Sequence, residues 1–158
     1  MELAEGRLQA AADALDQARR AAPGESAPLA VIAGRIALAR GELSTAADAF
    51  RRARRFEPTS FQAAFALART LELGAGETPP LAGGSDVAAA WETACGLAPA
   101  SPTERWTQEA REGWARALVA AGDSPRARAL AAEFAARHGT PPEHAARLRA
   151  SLGEDGAE

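Results

Sequence analysis

Residues 41–58 read GELSTAADAFRRARRFEP, and their spacing decides the fold. Gly41 opens the stretch and Pro58 closes it 17 residues later. Between them Ala46, Phe50 and Ala53 stand at i, i+4 and i+7, one stripe of an α-helix. The other faces carry Asp48 and the run Arg51, Arg52, Arg54 and Arg55. Such a helix cannot cover its own apolar stripe and must pack on neighbours.

The chain supplies those neighbours by repetition. Gly6 and Gly122 likewise stand 17 residues before Pro23 and Gly139. Their stripes are Ala11, Leu15, Ala18 and Ala127, Ala131, Phe134. A further copy keeps Val87, Trp91 and Ala94 before Pro99, without the leading glycine in register. The helix stops are 35, 41 and 40 residues apart. A recurrence near about 34 residues marks a stacked helical array, and two copies here carry insertions.

These residues resemble the tetratricopeptide repeat. That family places small residues at set points of a helix pair, with an aromatic residue or Leu between them and Pro at the end. Gly34, Ala46, Phe50, Ala53 and Pro58 match this within 27–60. Ala30 and Ala37 stand where the family carries larger side chains. The resemblance implies an all-α fold: a right-handed α-α superhelical solenoid of helix pairs with a C-terminal capping helix. It divides one domain, 1–152, into a partial repeat at 1–25, copies at 27–58, 59–99 and 101–139, and a cap helix at 141–152. Residues 153–158 are expected to be a disordered tail.

Composition agrees with helices. Of the 158 residues 44 are Ala, the best helix former, and all 18 basic residues are Arg. The absence of Lys and Asn reads as the product of a GC-rich, bacterial genome. Net charge is −3 with both signs interspersed, which gives no electrostatic reason to expect nucleic acid or an anionic membrane. No apolar run is long enough for a membrane span and no signal-peptide core is visible, so a cytoplasmic location is the expectation.

Along the chain, 1–5 read as the stub of one helix and 8–22 as a second with nothing before it. The apolar stripe of 8–22 is therefore expected to take another chain or upstream residues. Helices follow at 27–40, 43–55 and 61–73, with Ser26 as a cap and Gly41 as a left-handed stop. Residues 74–84 hold four glycines and two prolines, an inserted loop expected to be the most mobile internal segment. A helix resumes at 86–97. Ser101 and Glu104 form a capping box opening a helix to 121, which Gly122 stops. Ser124 starts the next, to His138, and Thr140 with Glu143 form a second capping box for a solvent-facing last helix.

No catalytic, cofactor or metal constellation emerges. His138 and His144 lack a third ligand nearby, and Cys95 lies beside the buried stripe without a base to activate it. Residues 74–84 lack the Lys-Ser/Thr ending of a phosphate loop. Arg51 to Arg55 read as a solvated face, with Asp48 pairing Arg52 at i+4. Trp106 and Trp114 share a face with Ala110, Ala117 and Ala121, and read as core.

In the family that the chain resembles, the first helix of each pair lines a concave groove for a partner segment. Carried over, the groove residues are Val31, Arg35 and Leu38, then Ala63, Leu67 and Thr70, then Glu112, Arg116 and Val119. Such a groove is apolar with two guanidiniums, which suits a protein or peptide partner bearing acidic groups. Arg116 has a competing mate in Glu112 at i−4. The resemblance thus implies a non-catalytic interaction module. The alternative is a structural subunit, or a piece of a larger complex or longer enzyme or regulator, working through its array ends.

Overall fold

The computed structural model describes residues 2–21, 24–99, 105–136, 141–150 and 152. Among them are eight helices and no strand: α1 (Glu2–Ala21), α2 (Ala27–Ala39), α3 (Leu43–Phe56), α4 (Phe61–Gly74), α5 (Gly84–Leu97), α6 (Arg105–Ala120), α7 (Ser124–Ala136) and α8 (Pro142–Ala150). The expected all-α class holds. Each helix packs on its successor, and α4–α6 and α6–α8 also touch. The even-numbered helices α4, α6 and α8 therefore share one side.

Backbone chemistry sets the ends of α2 and α6. Gly41 and Gly122 are left-handed at φ 78° and 83°, a region that costs a side chain bearing Cβ. After α2, the Gly41 and Glu42 N–H groups donate to Leu38 and Ala37. After α6, Gly122 and Asp123 donate to Val119 and Leu118 in the same pattern. Each pair of bonds satisfies carbonyls that the helix end leaves open. Asp123 then caps α7 by accepting the Arg126 N–H at 3.2 Å, a role the sequence reading gave to Ser124. Ser26 holds the cap position of α2 without a side-chain bond.

Three boundaries differ from expectation. α1 runs unbroken through Gly6, so 2–5 belong to the same helix as 8–21. One flexible residue inside a helix weakens it by about 1 kcal/mol and does not end it. α5 begins at Gly84. The loop before it is tied at one end, because Leu81 packs on the core and its N–H donates to Gly74 at 2.9 Å. The capping boxes at Ser101 and Thr140, His138 and the stop at Gly139 lie outside the described residues, as do 22–23 and the tail.

Aromatic residues resting on glycines build the core. Phe50 is 0% exposed, and a Cβ on Gly34 of α2 would lie 2.6 Å from its ring. Trp91 is 1% exposed, and a Cβ on Gly113 of α6 would lie 2.5 Å from its indole. Both facing residues must be glycine for the helices to approach this closely. The α1 stripe is partly spent inside the chain: α1 packs on α2, with Leu15 buried and Leu8, Ala11 and Ala18 half-buried. The face expected to wait for another chain is thus narrower than the sequence suggested.

Candidate functional site

Side chains of α2 and α4 leave a cleft of about 640 Å³ between them, with Trp106 of α6 at its side. From α2 come Val31, Arg35 and Leu38, and from α4 Gln62, Phe65, Ala66, Arg69 and Leu73. Leu73 and Trp106 are 54% and 52% exposed, a large open apolar area for a small domain. Phe65 links this surface to the core. Its ring makes edge contacts with Trp106 at 5.5 Å and with buried Trp91 at 5.3 Å.

Val31, Arg35 and Leu38 thus line a cleft as their spacing predicts, although Val31 is mostly covered. The second trio does not. Ala63, Leu67 and Thr70 are buried, and the Thr70 hydroxyl donates to the Ala66 carbonyl within its own helix. Their register is wrong by two residues, which turns a side chain about 200° to the opposite face of a helix. Adding the 34-residue step to Val31, Arg35 and Leu38 gives Phe65, Arg69 and Glu72, of which the first two line the cleft. The signal was in the sequence, and the insertion at 74–84 obscured it.

The third trio lies beside a second, polar cleft of about 520 Å³, into which Arg69, Glu109, Glu112, Arg116 and Arg147 project. Ion pairs close it. Arg69 donates to Glu109 at 2.7 Å, and Arg116 donates to both carboxylate oxygens of Glu72 at 3.1 and 3.3 Å. The sequence reading gave Arg116 to Glu112. Instead Glu112 faces α8, taking the Arg147 Nε at 2.7 Å and the His144 Nδ1 at 3.0 Å. An ionised carboxylate only accepts, so Nδ1 is the ring nitrogen that bears the proton. Val119 is half-buried against the core.

His144 was missed as a structural residue. It is 0% exposed, and its Nε2 has no partner. The last helix therefore turns His144 and Arg147 inward while Glu143 and Arg149 face solvent. Burial pushes the Glu112 carboxyl up, but the bonds from His144 and Arg147 outweigh it and hold the group below its ordinary value. Folding thus favours ionised Glu112. The stability this contributes is present above the unfolded carboxylate range and is lost as pH falls through it towards the folded value. Glu112→Gln should lower the melting temperature near neutrality, and the gap to the parent should narrow on acidification. Melting curves over a pH series check this, and a gap independent of pH would count against it.

Two other readings change. Trp106 is an exposed cleft residue and not core, whereas Trp114 is half-buried against Phe134. Asp48 pairs Arg51 at 2.9 Å, and Arg52 reaches Glu25 at 2.8 Å across to the start of α2. Cys95 is half-buried against the core. Among the described residues no three His, Cys, Asp or Glu side chains are placed to hold a metal, and no helix is long and apolar enough to cross a membrane. No protein-family profile matches the chain, and neither a curated protein nor a solved structure is significantly similar to it.

Proposed function

We propose that the chain is a non-catalytic interaction module of tetratricopeptide type, a right-handed solenoid whose even-numbered helices form a concave face that holds a partner protein segment. One observation carries this reading: the α2–α4 cleft is apolar and open, with Leu73 and Trp106 exposed in it. Large exposed apolar patches rimmed by polar groups mark interaction sites. The repeated pairing of helices and the glycine-aromatic contacts support the array.

The reading is tested with a displayed library of dodecapeptides selected on the folded protein. Selected peptides should lose at least about tenfold in affinity when Leu73 and Trp106 are both changed to Ala, since central apolar anchors dominate small interfaces. Changing Arg51 and Arg52 to Glu, on α3, should leave affinity within about twofold, as rim charges do. The reverse order would move the binding surface off the cleft.

A second reading has its own support. Leu8 and Ala11 of α1 with Ile36 and the 42% exposed Ile32 of α2 line another apolar cleft, of about 500 Å³. An assembly subunit would use that end of the array to pack another chain. Concentration-dependent self-association, or binders that respond to Ile32→Glu and not to the Leu73 and Trp106 changes, would favour it.

A further inference from the structure

The three arginines at equivalent points of α2, α4 and α6 have different fates. Arg69 is held by Glu109 of α6, and Arg116 reaches back to Glu72 of α4, so the α4–α6 seam is closed by two ion pairs. The α6–α8 seam is closed in the same manner by Glu112 with Arg147. The α2–α4 seam has no such closure. Arg35 is exposed, lines the cleft and has no ion-pair partner among the described residues, and no acidic residue lines that cleft.

An unmated guanidinium beside an apolar, aromatic surface specifies an occupant. We propose that the α2–α4 seam takes a short protein segment that sets a carboxylate on Arg35 and a large apolar side chain on Phe65, Leu73 and Trp106. This rests on the cleft being the docking surface, and adds which chemistry docks and where. The carboxylate supplies to Arg35 what Glu109 and Glu72 supply to Arg69 and Arg116. A guanidinium accepts a carboxylate through two parallel bonds, the geometry in which Arg116 meets Glu72. The partner therefore completes the row of cross-helix ion pairs that the chain leaves unfinished at its α2 end.

The dimensions set the length. Residues 62 to 73 of α4 run about 16 Å at about 1.5 Å per residue, which matches about five residues of extended chain. A polyanion is a poor fit, because one free arginine in an apolar cleft cannot track successive phosphates.

The test compares the same selected dodecapeptides by fluorescence polarisation. Binders should be enriched in Asp, Glu or a free C-terminal carboxylate next to Leu, Phe or Trp. Arg35→Gln should weaken them at least about tenfold, as losing a hydrogen bond to a charged group does. Replacing the peptide acid with its amide should cost the same, and the two changes together should cost little more than either alone. Side-chain and C-terminal amides are made separately, so the source of the carboxylate is identified. Arg116→Gln should have an effect within about twofold, because Glu72 already occupies that residue. Melting curves check that the Arg35→Gln protein is folded. Binders that lack an acid, or that ignore Arg35→Gln while still losing to the Leu73 and Trp106 changes, overturn the carboxylate assignment and leave the cleft standing. Binders indifferent to Leu73 and Trp106 overturn both.

Discussion

Phe50→Ala is expected to cost about 3–5 kcal/mol, enough to bring a domain of ordinary stability close to unfolding. Phe50 is fully buried at the α2–α3 contact, and its ring fills the space that Gly34 leaves. The glycine supplies a sharper check. Gly34→Ala adds about 1 kcal/mol of helix propensity but drives a Cβ to 2.6 Å from an aromatic ring, an overpacking that costs about 1–3 kcal/mol. The clash wins, so the single change should destabilise. In the Phe50→Ala background the clash is gone, and the same change should become neutral or stabilising. Chemical denaturation of the four proteins reads this coupling directly. Equal effects of Gly34→Ala in both backgrounds would show that the two helices do not meet there.

Trp91→Ala comes next, at the lower part of the same range of about 3–5 kcal/mol. The indole packs between Phe65 of α4 and Gly113 of α6, so its loss opens a void between three helices. Its Nε1 is buried without a partner, however, and an unsatisfied donor costs about 1–3 kcal/mol. Removing the ring also removes that penalty, which is why Trp91 is expected to cost less than Phe50 despite its larger volume. Trp91→Phe should retain most of the packing and relieve the donor, giving a protein much closer to the parent than Trp91→Ala. A Trp91→Phe protein as unstable as the alanine variant would contradict this.

The helices were legible because their stripes are regular and their stops are glycine and proline. Gly41 and Gly122 announced left-handed turns, and Phe50 and Trp91 fell on stripes that end up buried. The candidate site was legible only in part. Val31, Arg35 and Leu38 sit on a helix with clean boundaries, and their register survives. Ala63, Leu67 and Thr70 were counted across an insertion, and on a helix a slip of two residues exchanges surface for core. The partners of Arg116 and Glu112 could not be read locally. Glu72 and His144 are 44 and 32 residues away in the chain, so only helix packing brings them into contact. Trp106 shares the spacing of a buried stripe, and its exposure follows from its place near the start of α6 beside the cleft, which periodicity does not encode.

The most direct measurement of the central proposal is a map of backbone amide shifts when a selected peptide is added to isotopically labelled protein. The largest changes are expected on Arg35 and Leu38 of α2, on Phe65, Arg69 and Leu73 of α4, and on the Trp106 indole N–H. Residues of α3 and α7 should move little. A map centred on α3, or on the α1–α2 cleft around Ile32, would contradict the placement of the partner between α2 and α4.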